Sequence, residues 1–269
     1  FYPTLLDCAR EAWQVRHHLT AVLTDNQQAL RSLTGDTSAH GFRYHLLRTD
    51  HMVNVLAANP LRRRPRPPGE TQRVAITSAS AGELVAFMDA GERRKLYGAP
   101  LLDGEWARRL ETWPGLAEGH FLVHRDPRGV RAVCVPWSST PVKRLRARNV
   151  RQWLRASLWP ARLLGVRLPG EGEVLGVAYL THLHVAPDAD LAERAAIISD
   201  FVSHARREAW VRRAAFVSFG DAWGIHRHPQ FRQQITQVTG VNLYAVTREG
   251  EEIPAEFAGQ EVSFEMALA

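Results

Sequence analysis

A strand, a long amphipathic helix and a second strand follow one another over residues 174–219, and this succession limits the possible folds more than any other feature of the chain. An apolar run covers residues 174–185, and residues 191–210 then show helical periodicity. Apolar side chains share one face of that helix, namely Ile197, Ile198, Phe201, Val202 and Ala205. Residues 214–219 indicate the next strand. The succession predicts an α/β (α+β) fold, in which helices flank a mixed sheet.

The remaining sequence predicts further elements of both kinds. We expect helices over residues 4–15, 27–33, 81–97, 104–113, 149–164 and 231–239. We expect strands over residues 18–24, 42–53, 73–77, 121–124, 130–136, 241–246 and 261–268. The turn residues 126–129 predict a hairpin between two of these strands, and the alternating segment 261–268 is expected to close the sheet.

A Pro- and Arg-rich segment, residues 59–71, divides the chain. Proline removes backbone donors and like charges repel, so the segment is typical of an extended linker. A basic arm that binds RNA or phosphate is the alternative interpretation. The linker separates residues 1–58 from residues 72–269, which we interpret as two units.

Composition excludes several classes of protein. The net charge is +6 and the pI about 9.9, but the excess of arginine is spread along the chain, so nucleic acid is not expected as a partner. The densest basic patch, residues 143–155, is interpreted as the solvent-exposed start of a helix. The alternative is that this patch binds an acidic substrate, a carrier protein or RNA. No apolar run is long enough for a membrane helix. With Cys8 and Cys134 alone, neither disulfides nor structural zinc are expected, and a cytoplasmic location is the default.

The order of elements and the segment His184-Val185-Ala186-Pro187 carry a family resemblance. The order resembles that of the GNAT superfamily of N-acetyltransferases, in which the central strand ends in Val-x-Pro and the apolar face of the long helix follows, as Ile197 and Ile198 do here. The resemblance implies a mixed sheet that splays in the middle, with acyl-CoA in the cleft. Acetyl-CoA, or another acyl-CoA, is the implied substrate.

The cofactor motif of that family is altered in residues 72–269. Where the family has Arg-x-x-Gly-x-Gly or Ala, this chain has Asp190, Glu193 and Ala195. Glycines allow close approach of the backbone, and the helix N-terminus holds the pyrophosphate. Two carboxylates facing a pyrophosphate would repel it, so we expect this unit to bind CoA poorly. In an alternative register, Arg194 serves as the cation.

Residues 1–58 resemble the second half of another GNAT unit. Phe1-Tyr2-Pro3-Thr4-Leu5-Leu6 would continue the family's Arg-Gly-x-Gly-Leu-Tyr-x-x-Leu-Leu, and we expect the glycines directly ahead of Phe1. Residues 24–29 with Gly41-Phe42 resemble its Asn-x-x-Ala…Gly-Phe segment. The resemblance implies that Tyr2, Asn26 and Ala29 bind the cofactor, with Asn26 facing the pantetheine. The tyrosine that serves the family as general acid would fall near Leu33.

His182 and His184 are the candidate catalytic residues. They lie two apart on the strand beside the implied cleft, and the pKa of histidine suits a base at neutral pH. Two histidines on a half-buried sheet face or at a subunit interface are the alternative. The pairs His17-His18 and His226-x-His228 lack a third ligand, so no metal site is predicted, and we interpret the second pair as part of a solvated loop. Asp50-His51 is interpreted as a polar pair at a strand end.

These observations lead to a hypothesis about function. The chain is expected to be an acyl-CoA-dependent N-acyltransferase of tandem GNAT type, acting on a small-molecule amine or on a carrier or other protein. A homo-oligomer is included among the expected assemblies. A non-catalytic binding or assembly protein with decayed cofactor sites is the alternative, and an adaptor that uses the basic patch is a third.

Overall fold

The computed structural model describes residues 2–13, 15, 17–35, 41–58, 67–77, 81–146, 170, 172–229, 231, 234–257 and 259–265. Its helices are α1 (Tyr2–Trp13), α2 (Gln27–Thr34), α3 (Ala81–Glu92), α4 (Trp106–Thr112), α5 (Leu191–Ala205) and α6 (Ala209–Arg212). Its strands are β1 (His18–Leu23), β2 (Phe42–Ala58), β3 (Glu70–Ala75), β4 (His120–Asp126), β5 (Gly129–Ser138), β6 (Leu145–Arg146), β7 (Val174–Leu175), β8 (Val177–Val185), β9 (Phe216–Asp221) and β10 (Gln234–Arg248).

Eight of these strands form one sheet in the order β1-β10-β2-β9-β8-β5-β4-β3, while β6 and β7 form a separate pair. Strands β8 and β9 run parallel, and the other neighbours described in the large sheet run antiparallel. A large mixed sheet flanked by helices confirms the predicted fold class. The predicted hairpin is also confirmed, because β4 and β5 pair across residues 126–129.

Strands from both sides of residues 59–71 share the large sheet. Strand β2 pairs along its whole length with β10 and, on its other edge, with β9. A similar order of elements occurs twice: as α1-β1-α2-β2, and as α5-β9, a 3₁₀ turn at Ile225–Arg227, and β10, with the short helix α6 inserted before β9. Each repeat gives its last strand to the other, since β10 pairs with β1 and β2 pairs with β9.

Helices cover both faces of the sheet through clusters of buried apolar side chains. On one face, α5 packs against the central strands through a cluster that includes Ile197, Phe201 and Phe219. On the other, α3 and α4 cover β4, β5 and β8 through a cluster that includes Leu84, Met88 and Phe121. Removing these side chains from water is the main favourable term in folding, so the strands between the two layers are held firmly.

Some predicted elements are wrong. Residues 234–239 belong to β10 and not to a helix, because pairing with β2 overrides the weak helical spacing of this segment. Residues 261–268 were expected to close the sheet, but their described part makes a single parallel bridge, Val262 with Leu96. The edges of the sheet are formed by β1 and β3 instead. Helix α5 ends at Ala205 and not near residue 210. The helix expected over residues 149–164, with most of the basic patch, lies outside the described residues.

Two further findings concern membrane-spanning helices and the two cysteines. Within the described ranges, no helix is both long and apolar enough to cross a membrane. Cys8 is exposed and Cys134 is buried, and both are free thiols. Burial raises the pKa of Cys134, which keeps this thiol protonated and unreactive.

Candidate functional site

A wedge opens between the parallel strands β8 and β9. The two strands pair over three positions, Val177 with Phe216, Ala178 with Val217 and Tyr179 with Ser218. Further along, β8 continues on β5 while β9 continues on β2, so the two strands diverge. A cavity of about 90 Å³ lies in this wedge and a second, of about 250 Å³, lies at its mouth.

A β-bulge in β8 turns a backbone amide towards the wedge. The register with β5 shifts between Val133 and Val135, and His182 adopts a left-handed backbone with φ of 51°. Such a conformation is uncommon for a residue other than glycine and often marks a functional site. The His182 N–H donates to Oε2 of Glu265 at 3.0 Å. The bulge therefore presents a hydrogen-bond donor to whatever occupies the wedge.

The His182 imidazole is buried between aromatic rings. It meets Trp106 edge-on at 5.3 Å and Trp113 at 5.0 Å between ring centroids. Its Nδ1 lies 3.0 Å from Oγ1 of Thr181, and its Nε2 has no hydrogen-bond partner among the described residues. Burial, assisted by Arg109, lowers the pKa of His182 to about 3. The ring is therefore neutral at physiological pH and a weak base.

His184 also lies at the wedge, against the end of α3. Its Nε2 is 3.4 Å from Oε1 of Glu92. A β-carbon at Gly91 would overlap Nδ1 of His184, so only glycine permits this approach. Burial first, and then the charge of Lys95, lower the pKa of His184 well below its usual range. The two predicted catalytic histidines are thus brought together, both as neutral imidazoles.

The carboxylates at the start of α5 do not face the wedge. Oδ1 of Asp190 accepts the Glu193 N–H at 2.7 Å and so caps the helix. Oε1 of Glu193 binds Arg128 at 2.9 Å and Arg131 at 3.0 Å. Arg131 also binds Asp188 at 2.8 Å. These ion pairs join the β4–β5 hairpin to α5 and turn the negative charge away from the cavity.

Cations line the mouth of the wedge instead. Arg194 stacks over the Trp223 ring at 4.9 Å and donates from Nε to the Ala189 carbonyl at 2.8 Å. Together with Arg94 and Lys95, it lines the 250 Å³ cavity. The sequence pointed to Arg194 only as an alternative and gave no sign of Arg94 or Lys95, because they follow α3, about a hundred residues away in the chain.

The cofactor-binding residues predicted in the first segment lie apart from the wedge. Oδ1 of Asn26 accepts the Ala29 N–H at 3.1 Å and so caps α2. Both residues, with Leu33, line a separate groove of about 390 Å³ between β1 and α2. Tyr2 begins α1. The structure therefore separates a groove in the first segment from the wedge in the second.

Two polar pairs differ from their interpretation in the sequence. His226 is not in a freely solvated loop: its Nδ1 lies 2.6 Å from Oδ2 of Asp221, which is buried. Asp221 also accepts backbone N–H groups of the following turn, which fixes that loop. Asp50 and His51 lie within β2 and not at its end. Asp50 binds Arg48, and the His51 ring lies 4.5 Å from that of His226, tilted by 48°.

Comparisons with known proteins give similarity in structure alone. No protein-family model matches the sequence, and no curated protein matches it. A GCN5-related N-acetyltransferase from Kribbella flavida is similar over 93% of this chain and 76% of its own, with 11% identity and a TM-score of 0.47. One from Sphaerobacter thermophilus is similar over 93% of this chain and 69% of its own, with 13% identity and a TM-score of 0.46. A functionally unknown conserved protein from Staphylococcus epidermidis is similar over 91% of this chain and 77% of its own, with 10% identity and a TM-score of 0.46. The function proposed below rests on the residues of this chain.

Proposed function

We propose that the protein is an acyl-CoA-dependent N-acyltransferase of GNAT type that transfers an acetyl group to an amine. The observation that carries this proposal is the wedge between β8 and β9, parallel strands that pair over three positions and then separate. A splayed pair of this kind is what the resemblance in sequence implied for the acyl-CoA cleft. Cytoplasmic activity is part of the proposal.

The His182 amide is suited to the acyl end of the donor. In aminolysis, the amine nitrogen attacks the thioester carbonyl carbon, a C–N bond forms, the C–S bond breaks and the CoA thiolate leaves. Negative charge develops on the carbonyl oxygen, and a fixed N–H donor stabilises it. The bulge at His182 supplies such a donor, on a residue that is buried.

His184 is suited to accept the proton that the amine loses. Its burial keeps it neutral, so a ring nitrogen can take a proton, and Glu92 at 3.4 Å would stabilise the resulting imidazolium. Burial weakens this base, and the nearby Lys95 weakens it further. His182 contributes its amide and, through its ring, holds the bulge against Trp106.

Arg94, Lys95 and Arg194 are suited to the phosphates of CoA. Three cations at one mouth attract a polyphosphate. Because Asp190 already caps α5, the phosphates would be held by side chains and not by the helix N-terminus. The amine acceptor, whether a small molecule or a carrier or other protein, would enter from the opposite side of the wedge.

Residues 1–58 are proposed to be the C-terminal half of a first, incomplete unit of the same type. The repeated order of elements supports a division into residues 1–58 and 72–269. The groove beside Asn26 and Ala29 is its counterpart of the wedge, with Tyr2 on the helix that precedes it. This is the tandem arrangement proposed from the sequence.

Titration calorimetry with acetyl-CoA and an assay of released thiol across a panel of amines test the proposal. Arg194→Ala should weaken acetyl-CoA binding about tenfold, as expected for one charge-assisted contact. Arg212→Ala, which removes an exposed arginine on α6, is the matched control and should have no effect. His184→Gln should lower kcat with little change in affinity. No heat at millimolar acetyl-CoA, together with no thiol release, would refute the proposal.

A non-catalytic binding or assembly protein is the second candidate. The capped start of α5 favours it, because Asp190 already accepts a backbone N–H at the helix N-terminus, where the resemblance places the pyrophosphate. Binding of acetyl-CoA without turnover of any amine, or a stable homo-oligomer in light scattering that binds no cofactor, would support this candidate.

A further inference from the structure

Residues 259–265, called here the closing segment, lie across the wedge and make one parallel bridge, Val262 with Leu96. The Leu96 N–H donates to the Glu261 carbonyl at 2.8 Å, and the Ser263 N–H donates to the Leu96 carbonyl at 2.8 Å. Between these bonds, the Val262 side chain is only 4% exposed. The segment is thus fixed by two backbone hydrogen bonds and one buried apolar side chain.

Two further contacts join the closing segment to the polar groups of the site. Oγ of Ser263 donates to Oε2 of Glu92 at 2.5 Å, on the carboxylate that faces His184. Oε2 of Glu265 accepts the N–H of His182 at 3.0 Å. The cavity of about 90 Å³ in the wedge is lined by four residues of the segment, Glu261, Val262, Ser263 and Glu265. The segment therefore reaches both the proposed proton acceptor and the proposed oxyanion donor.

The Glu265 carboxylate and an acyl carbonyl compete for the same donor. A backbone N–H that points into a narrow wedge can serve one strong acceptor at a time. A carboxylate accepts more strongly than a neutral thioester carbonyl, because its hydrogen bond is charge-assisted. While Glu265 is bound, the thioester carbonyl cannot receive the His182 N–H.

We infer that the closing segment is an autoinhibitory strap, in which the Glu265 carboxylate occupies the position of the acyl carbonyl at the His182 amide. This inference rests on the proposed function, because it assigns the wedge to an acyl-CoA. The strap must move before the donor can react. The apparent affinity for acyl-CoA is then reduced by the fraction of molecules in which the strap is closed.

The test compares Glu265→Ala and Glu265→Gln with the wild-type protein. Glu265→Ala removes the competing acceptor and should tighten acetyl-CoA binding about tenfold in calorimetry. Glu265→Gln keeps a neutral acceptor, so its affinity for acetyl-CoA should lie between those of the wild type and Glu265→Ala. Glu252→Ala, which removes an exposed carboxylate nearby in sequence, is the control and should match the wild type. Ser263→Ala, which removes the bond to Glu92, should also tighten binding.

Hydrogen exchange of peptides that cover residues 177–185 and 259–265 gives a readout that needs no ligand. Both peptides should exchange faster in Glu265→Ala than in the wild type. Faster exchange with unchanged acetyl-CoA affinity would overturn the strap and leave the proposed function standing, as would unchanged exchange in a protein that binds the donor. If hydrogen exchange shows that the strap is released in Glu265→Ala but acetyl-CoA binds neither this variant nor the wild type, the proposed function is refuted. The strap is then refuted with it.

Discussion

Replacing Gly91 by alanine tests how tightly the site is packed. The added β-carbon would overlap Nδ1 of His184 and lie 3.2 Å from its Cε1 and 3.3 Å from its Cγ. His184 is buried, so its ring cannot move without displacing neighbours. Overpacking of this kind costs roughly 1–3 kcal/mol. The gain in helix propensity on replacing glycine by alanine is at most about 1 kcal/mol, and less at the end of a helix.

The net expectation is a loss of about 1–2 kcal/mol in the free energy of unfolding. For a domain of this size, each kcal/mol lowers Tm by about 2–4 °C. Differential scanning calorimetry and urea denaturation measure both quantities. Gly82→Ala is the matched control, because Gly82 lies in the same helix and a β-carbon there would meet nothing within 4 Å. The control should be as stable as the wild type or more so.

A second substitution shows whether His184 is the cause. Adding His184→Ala to Gly91→Ala removes the ring that the new methyl group would strike. The double variant should be destabilised by less than the sum of the two single losses, because residues in contact couple. Strict additivity, or a Gly91→Ala protein as stable as the wild type, would refute the assigned packing.

Three further outcomes are expected. Hydrogen bonds from Arg108 and Arg109 lower the pKa of Glu105 to about 2, so its carboxylate contributes stability above its unfolded pKa of 4.5 that is lost as pH falls towards 2. Glu105→Gln should therefore lower the free energy of unfolding by about 1 kcal/mol at pH 7 and leave it unchanged at pH 2. Measurements of Tm against pH follow this difference. Arg131→Met leaves Glu193 without its buried cation and should cost about 2–3 kcal/mol in urea denaturation, whereas an unchanged midpoint would show that the ion pairs contribute nothing. Asn26→Ala removes the cap of α2 and should cost about 1 kcal/mol, seen as faster hydrogen exchange over residues 27–34; Asn26→Asp should restore protection.

The sequence predicts those elements whose periodicity agrees with their final contacts. The apolar run of β8 and the amphipathic face of α5 are buried as their patterns indicate, and the turn at residues 126–129 joins β4 to β5. Residues 234–239 were predicted wrongly because their strand conformation depends on β2, far away in the chain. Local spacing cannot report a partner that lies about 180 residues away.

The same limit applies to the candidate site. His182 and His184 could be predicted because strand alternation and their place beside the implied cleft are local properties. Their low pKa values could not, because these depend on burial beneath Trp106 and beside α3. The contact of Glu265 with His182 joins residues 83 positions apart and has no local signal.

The exchanged strands β2 and β10 have a consequence for any attempt to take the protein apart. A single peptide-bond cut between β2 and β3 would leave the two pieces held together, since β2 is hydrogen-bonded on both edges by strands from the other piece. Neither piece could keep its native sheet alone, because β1 and β2 would lose β10 between them and β9 and β10 would lose β2, which exposes unsatisfied strand edges prone to association. The two halves are therefore interlocked and are expected to fold as one body.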